Sequence, residues 1–187
     1  MKEEALKKED RLAICMVADP NYYPHVCALI LSILTHYKGA FSMYIFDDSY
    51  NAKKFSVLKE WIQDKYAVEL KHMVIDKTLL EKYSGQFWKV LNERAMYRLL
   101  IPNFLPEQYS RALYLDSDMI VVGDFNLNDY NLQGKTIAAV QDSVAHILAA
   151  DRGLVDYFNS GLLLIDTVKW KTENTLQKLL AFKPKTM

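Results

Sequence analysis

Residues 112–124 read A-L-Y-L-D-S-D-M-I-V-V-G-D, and the rest of the chain is organised around this stretch. Two short apolar runs, typical of buried strands, flank Asp116, Ser117 and Asp118. In an extended chain the two carboxylates project to the same side, where their like charges oppose joint ionisation unless a hard divalent cation binds them. The alternative is a pair of solvated acids at the end of a strand. The short motif by itself favours that alternative, so the remaining sequence must decide.

The composition is that of an ordinary globular domain, with 187 residues of which 51% are hydrophobic and 25% charged. Lys plus Arg and Asp plus Glu both number 23, and this balanced charge gives no support for a nucleic-acid partner. The longest apolar stretch, 26–34, is too short to cross a bilayer, so neither a transmembrane segment nor a signal peptide is expected.

The two cysteines, Cys15 and Cys27, lie inside apolar runs, which predicts buried and reduced thiols in a cytoplasmic protein. Residues 1–11 are rich in charge and are predicted to be a solvated lead-in. No repeat or linker divides the remainder, so residues 12–187 are predicted to form a single domain.

Apolar periodicity predicts strands and helices in alternation. The predicted strands are 12–18, 41–46, 68–75, the runs on either side of residues 116–118, 136–140 and 162–165. The predicted helices are 21–37, ended by a Gly39 cap, 51–66, 91–101, ended by Pro102, and 167–182. This order predicts an α/β fold in which a mostly parallel sheet carries helices on both faces.

Acidic residues follow three of the predicted strands, namely Asp19, Asp47 and Asp116. Ligands of such sheets bind beyond the carboxyl ends of the strands, so these acids are candidates for one crevice, although aspartate is also a common turn residue. Arg94 and Arg98 lie one helical turn apart on one face of the predicted helix 91–101. They form either a solvated cationic face or the position from which an arginine reaches anionic phosphates near residues 116–118.

Four segments occur in the order and approximate spacing of the retaining glycosyltransferases of family 8, which have the GT-A fold. They are A-D-P-N-Y-Y (18–23), M-Y-R-L-L-I-P (96–102), A-L-Y-L-D-S-D (112–118) and F-N-S-G-L-L-L-I-D-T-V-K-W (158–170). From about residue 12 to residue 170 the chain resembles this family, which includes bacterial lipopolysaccharide α-galactosyl- and α-glucosyltransferases and the glycogenins. The resemblance reverses the preference at residues 116–118 in favour of a metal site.

The resemblance implies a UDP-sugar site with a bound Mn²⁺ or Mg²⁺. Asp116 and Asp118 match the D-x-D pair that binds the cation, which in turn bridges the diphosphate, and Ser117 between them joins the nucleotide-binding set. The positions that match the pocket for the base are Val17, Asp19, Asn21 and Tyr22. In this match Tyr22 stacks on the uracil and Asp19 accepts its N–H. The alternative for Tyr22 is an aromatic side chain that packs at the start of a helix.

On the sugar side, Arg98 matches an arginine that contacts the donor sugar and its phosphates. Asn159 and Ser160 match residues beside the donor sugar, and Asp142 matches an acid of the sugar or acceptor pocket. The alternative for Asn159 is a turn residue before the last strand. The resemblance implies that these four residues form the catalytic set, with retention of the anomeric configuration and without a glutamate nucleophile.

The implied reaction is Mn²⁺-dependent transfer of a hexose from UDP-glucose or UDP-galactose to a saccharide or glycolipid acceptor, as in lipopolysaccharide biosynthesis. The family continues with a D-Q-D-x-L-N-like segment and an H-x-G-x-x-K-P-W-like segment, which supplies a third metal ligand and a lysine for the diphosphate. Neither segment occurs here. The expectation is therefore a GT-A domain incomplete at its C-terminus, cytoplasmic, or peripheral at the membrane in a full-length form.

Two alternatives to this function remain open. The first is an inactive remnant that binds UDP or a UDP-sugar without transferring the sugar. The second is a phosphatase of the haloacid dehalogenase type, which also carries D-x-D after an apolar strand. That class has its motif near the start of the chain, whereas here the motif is central.

Overall fold

The computed structural model describes residues 12–18, 21–47, 52–66, 68–76, 93–127, 130–142 and 157–181. Six strands form one sheet within these ranges: β1 Leu12–Val17, β2 Phe41–Asp47, β3 Leu70–Val74, β4 Arg111–Leu115, β5 Ile137–Gln141 and β6 Phe158–Asp166. Their order in the sheet is β3-β2-β1-β4-β6-β5. Strands β1 to β4 pair in parallel, and β6 runs antiparallel to both β4 and β5. The predicted α/β fold with a mostly parallel sheet is confirmed.

Helices cover both faces of this sheet. Those described are α1 Tyr23–His36, α2 Ala52–Tyr66, α3 Glu93–Phe104, α4 Thr167–Thr172 and α5 Thr175–Ala181. One face of β1, including Ile14, belongs to a buried cluster with Ile30 of α1 and Ile62 of α2. The other face, including Cys15, belongs to a second cluster with Tyr97 of α3. Strand β1 lies between β2 and β4 inside the sheet, and it is buried on both faces. None of the helices described has the length and apolarity needed to span a bilayer.

Pro102 does not end α3, so this part of the prediction was wrong. The helix continues to Phe104 with Pro102 inside it. Proline has no N–H to donate to the carbonyl four residues earlier, here that of Arg98, and the last turn therefore lacks one hydrogen bond. Leu100 and Ile101 beside it are buried in the apolar cluster under α3. Packing at this end of the helix offsets the missing bond.

Two further helix ends differ from the prediction. Residues 167–181 form two helices rather than one, because Asn174 adopts a left-handed conformation with φ of 53° between α4 and α5. Asparagine is one of the few residues that tolerate this conformation. Gly39 does not cap α1, since the residue after the helix, Tyr37, is already extended with ψ of 129°.

The apolar run 119–122 is not a strand, which corrects the interpretation of the motif's second half. Ile120 is 64% exposed and Val122 is 90% exposed. The main-chain N–H of Val121 donates to Ser32 Oγ of α1 at 3.0 Å instead of entering the sheet ladder. The turn at Ser117 and Asp118 leads the chain off the sheet at this point.

The cysteines agree with the prediction of unpaired thiols. Cys15 is buried in β1 and Cys27 is half-buried in α1, and neither forms a disulfide. Burial raises the pKa of both thiols, which keeps them protonated and poorly nucleophilic. Full burial was predicted for both and holds for Cys15.

The segment that follows the acidic turn is anchored to the end of α1. Phe125 N–H donates to the His36 carbonyl at 3.2 Å, and Lys38 N–H donates to the Phe125 carbonyl at 3.1 Å. The Phe125 ring meets Tyr37 edge-to-face, with 4.9 Å between the ring centroids. Asp124 pairs with His36 at 3.0 Å beside this contact. The anchor limits how far the chain after Asp118 can move away from the sheet.

Replacing the ring tests this anchor. Phe125→Ala should lower the free energy of unfolding by about 2 kcal/mol, because it removes a half-buried ring and an aromatic pair. Phe125→Leu is the matched control, since it keeps most of the apolar volume, and it should lose less than half as much. Urea denaturation measures both values. Equal stability of the alanine variant and the unmodified chain would show that the contact does not hold the segment.

Candidate active site

An open cleft of about 200 Å³ lies at the carboxyl ends of β1 and β4, beside α3. Its walls come from three parts of the chain, the end of β1 with the start of α1, the N-terminal half of α3, and the end of β4 with the acidic turn. The lining residues are Val17, Ala18, Tyr22, Arg94, Ala95, Arg98, Tyr114, Asp116, Ser117 and Asp118. A crevice at this end of parallel strands is the usual ligand site of an α/β sheet.

Asp116 is the first residue after β4, and its backbone fixes the acidic turn. Its N–H donates to the Gly161 carbonyl of β6 at 2.8 Å. Its own carbonyl accepts from Met119 N–H at 3.1 Å, which closes a turn over Ser117 and Asp118. The two carboxylates were expected to share one side of an extended chain. They reach one cleft through a turn instead.

The Asp116 carboxylate is held by two neighbours. The Tyr114 hydroxyl donates to Oδ1 at 2.5 Å, and Arg98 Nη2 lies 3.3 Å from the same oxygen. Burial raises the pKa of Tyr114, against the opposing effect of the Arg98 charge, and the nearby carboxylates of Asp116 and Asp118 raise it further. Tyr114 therefore remains a neutral hydrogen-bond donor over the working pH range. Both contacts fix the orientation of a carboxylate that is still partly exposed to the cleft.

Arg98 joins three elements of the fold. Its Nε donates to the Ala95 carbonyl within α3 at 2.6 Å. Its Nη1 donates to the carbonyl of Ser160 on β6 at 2.7 Å and to the Ser160 hydroxyl at 3.0 Å. The guanidinium lies over the Tyr114 ring of β4 at 4.9 Å, a favourable cation–π distance. Arg98 thus ties α3 to the strands on either side of the acidic turn.

Gly161 leaves room for the Asp116 side chain. A Cβ at this position would lie 2.6 Å from Asp116 Oδ2 and 2.9 Å from Asn159 Oδ1, both inside van der Waals contact. The Gly161 N–H also donates to Asn159 Oδ1 at 2.7 Å. Because β6 begins at Phe158, Asn159 and Ser160 both belong to a strand, and the alternative of a turn residue at Asn159 does not hold. The antiparallel pairing of β6 with β4 brings these residues beside the acidic turn.

The structure describes three of the four residues predicted to bind the base. Val17 and Tyr22 line the cleft, and Tyr22 is 46% exposed, with its ring 5.4 Å from that of His25. Asn21 is exposed next to Tyr22 and does not itself line the cleft. Asp19 lies outside the described residues. A half-exposed ring at the rim of the cleft is accessible to a planar ligand.

One candidate acid does not reach the cleft, and another follows the edge strand. Asp47 is fully buried at the end of β2, and its Oδ2 lies 3.9 Å from Nε2 of the buried His72, so it is not part of the crevice for which it was a candidate. Asp142 follows β5 at the edge of the described sheet, and its N–H donates to the Tyr157 carbonyl at 3.3 Å. It does not line the cleft that contains Asp116 and Asp118.

The residues of the cleft provide part of a site for a hard divalent cation. Asp116 and Asp118 offer carboxylate oxygens, the donors that Mn²⁺ and Mg²⁺ favour, and Asp118 is exposed. Within the described ranges no group of three or more His, Cys, Asp or Glu side chains gathers at one point. The two carboxylates fit such an ion when further oxygens, for example those of a diphosphate, complete its coordination.

Two residues of this site were not predicted from the sequence. Tyr114 stands two residues before Asp116 on the same strand, and that spacing could have indicated a shared face. Gly161 lies within the F-N-S-G segment, but its role follows from the strand pairing. By contrast, Arg94 was a candidate, together with Arg98, for an arginine that reaches phosphates or for a solvated cationic face, and it lies on the wall of the cleft.

Comparison with known proteins identifies the family of this chain. The family profile "Glycosyl transferase family 8" matches residues 13–186, and the chain belongs to this family. The mixed sheet of six strands in the described residues, with its helices, is that of the GT-A glycosyltransferases.

Individual relatives give the same result. General stress protein A of Bacillus subtilis is 27% identical over 184 residues, covering 95% of this chain and 63% of that protein. Glycosyltransferase GlyB of Streptococcus pneumoniae is 32% identical over 169 residues, covering 90% of this chain and 39% of that protein. The crystal structure of glycosyltransferase GlyE from Streptococcus pneumoniae superposes with a TM-score of 0.65 at 26% identity, over 90% of this chain and 37% of that one. The chain thus spans less than two thirds of the length of these relatives.

The space left by Gly161 gives a direct test of the site. Gly161→Ala should reduce Mn²⁺-dependent UDP affinity by about tenfold or more, because the added methyl group must displace the Asp116 carboxylate. Gly123→Ala is the matched control, since nothing lies within 4 Å of a Cβ there, and it should bind as the unmodified chain does. Isothermal titration measures the affinities, and thermal melting checks folding. Unchanged affinity in a folded Gly161→Ala variant would remove Asp116 from the site.

Proposed function

We propose that this chain contains the nucleotide-sugar site of a retaining hexosyltransferase that uses a UDP-sugar and a divalent cation. The donor is UDP-glucose or UDP-galactose, and the acceptor is a saccharide or glycolipid, such as a lipopolysaccharide core. The observation that carries the proposal is the cleft in which Asp116, Ser117 and Asp118 face Arg98 and Tyr22. Membership of glycosyltransferase family 8 supports sugar transfer as the reaction class.

Within this proposal the walls of the cleft and the residues beside it bind different parts of the donor. Tyr22 stacks on the uracil beside Val17, with Asn21 and Asp19 at the edge of the base. Asp116 and Asp118 hold Mn²⁺ or Mg²⁺, and Ser117 between them borders the diphosphate. Asn159 and Ser160 lie beside the sugar, and Asp142 serves the sugar or acceptor side. The exposed ring of Tyr22 and the partly exposed Asp116 support these assignments.

The chemistry explains why acids and an arginine share one cleft. Cleavage of the bond between the anomeric carbon and the diphosphate leaves additional negative charge on the leaving UDP. A bound divalent cation would supply electrostatic stabilisation of that charge. The chain's own contribution is to fix the Asp116 carboxylate through Tyr114 and Arg98 before any ligand arrives. Preorganised charges of this kind need no rearrangement during the reaction.

The second candidate is a UDP-binding chain without transfer activity. Its support is that the described residues bring two carboxylates to the cleft and no third protein ligand of the same kind. Both candidates require metal-dependent UDP binding, and they differ in turnover. Release of hexose from UDP-glucose or UDP-galactose, measured alongside binding, separates them.

Binding of UDP tests what the two candidates share. UDP should bind in the presence of Mn²⁺ and lose most of its affinity in EDTA, because the nucleotide phosphates and the acids repel each other without the cation. Asp118→Asn should remove the Mn²⁺ dependence. Asp124→Asn is the matched control, an exposed aspartate in the same segment that pairs with His36 outside the cleft, and it should behave as the unmodified chain. Metal-independent UDP binding in the unmodified chain would contradict the metal assignment.

The base pocket has a separate test. Tyr22→Ala should weaken UDP binding by about 1–3 kcal/mol if the ring stacks on the uracil. Tyr130→Ala removes a similarly exposed tyrosine away from the cleft and should leave the affinity unchanged. Both are measured by isothermal titration at fixed Mn²⁺. An equal affinity for both variants would show that Tyr22 serves only local packing.

A further inference from the structure

The hydroxyl of Tyr114 reaches one particular oxygen of the Asp116 carboxylate. It lies 2.5 Å from Oδ1, and because an ionised carboxylate has no proton to give, the tyrosine is the donor. Arg98 Nη2 lies 3.3 Å from the same oxygen. A carboxylate oxygen has about two lone-pair sites, so these two neighbours meet the hydrogen-bonding capacity of Oδ1.

The other oxygen of Asp116, Oδ2, has a different environment. It lies over Gly161, where a Cβ would come within 2.6 Å of it. Among the described residues none forms a hydrogen bond or an ion pair with Oδ2. The Asp116 side chain lines the cleft and is 35% exposed. The site therefore leaves Oδ2 available to a ligand, whereas Oδ1 is already bound by the protein.

The position of the Tyr114 hydroxyl is fixed by the core of the fold. The residue is buried in the apolar cluster under α3. Its partners across the sheet are Cys15 of β1 and Leu163 of β6, so the ring is held in the middle of three paired strands. Buried side chains in a close-packed interior cannot turn without displacing their neighbours. The hydroxyl therefore stays directed at Oδ1 of Asp116.

Divalent cations differ in the way they use a carboxylate. Mg²⁺ requires nearly ideal octahedral geometry with oxygens at about 2.0–2.1 Å, and Mn²⁺ also occupies octahedral oxygen sites. Ca²⁺ takes about 6–8 oxygens at about 2.3–2.6 Å, and it accepts both oxygens of one carboxylate. A carboxylate with one available oxygen therefore suits the smaller octahedral ions and denies Ca²⁺ a ligand that it could otherwise use.

We propose that Tyr114 is a positioning residue that sets the cation preference of this site, because it keeps Oδ1 of Asp116 from the cation and leaves Oδ2 to bind it. This inference rests on the proposed function and deepens it, since it names the residue that discriminates Mn²⁺ and Mg²⁺ from Ca²⁺. Tyr114 acts through Asp116 and does not itself contact the cation.

The test compares two cations on the intact chain. UDP is titrated calorimetrically in MnCl₂ and in CaCl₂, and the ratio of the two dissociation constants gives the cation preference. The unmodified chain should bind UDP more tightly with Mn²⁺. Tyr114→Phe keeps the ring and removes the hydroxyl, and it should reduce this preference by about tenfold because Oδ1 becomes available to Ca²⁺. A general weakening of the site affects both constants and cancels in the ratio.

Tyr109→Phe is the matched control. The Tyr109 hydroxyl donates to Ser42 Oγ at 3.0 Å, and the residue is buried in the same apolar cluster as Tyr114 but does not line the cleft. This variant loses one buried hydrogen bond, as Tyr114→Phe does, and should keep the cation preference of the unmodified chain. Thermal melting checks that both variants are folded.

The outcomes separate this inference from the function on which it rests. An unchanged cation preference in Tyr114→Phe overturns the role of Tyr114 and leaves the proposed function standing. An equal change in Tyr109→Phe also overturns it, because the loss of any buried hydroxyl would then have the same effect. If the unmodified chain binds UDP with neither cation, the proposed function and the inference fail together.

Discussion

The orientation of one carboxylate, that of Asp116, governs the arrangement of this cleft. The Tyr114 hydroxyl and the Arg98 guanidinium converge on the same oxygen of Asp116, and Arg98 continues to Ser160 on the neighbouring strand. The other oxygen faces Gly161, where no side chain intervenes. A partly exposed ion pair by itself contributes little to stability. Here its effect is geometric, because it fixes the direction in which the carboxylate faces the cleft.

The residues that contact Asp116 come from different elements of the fold and lie at different distances from it in the sequence. Tyr114 comes from the same strand, Arg98 from the preceding helix, and Ser160 and Gly161 from a strand that returns antiparallel to β4. The antiparallel return is what places the F-N-S-G segment beside the acidic turn. On the far side, the contact of Phe125 with Tyr37 holds the chain that leaves the turn. The acidic turn is therefore fixed before and after it by elements buried in the two cores.

Structural features that depend on residues close together in the sequence were predicted well. The alternation of apolar strands and amphipathic helices gave the α/β class, since burial on both faces of a parallel sheet leaves continuous apolar runs. Features that depend on partners far apart in the sequence were not predicted. Asp47 and Asp116 both follow an apolar strand, but β2 ends beside His72 of β3 and buries its acid, whereas β4 ends at the cleft. Val121 was predicted to lie in a strand because its neighbours in the sequence are apolar. Its actual hydrogen-bond partner, Ser32, is 89 residues away, so local sequence does not indicate this contact.

The most direct test is the position of the metal. Crystals grown with UDP and MnCl₂ and measured at the manganese absorption edge would locate the ion by its anomalous scattering. The expected result is one manganese peak within coordination distance, about 2.2 Å, of oxygens from Asp116, Asp118 and the diphosphate, with uracil against Tyr22. UDP bound in the cleft with no manganese at these carboxylates, or manganese bound at a different place, would contradict the assignment of the acidic turn as a metal-binding nucleotide site.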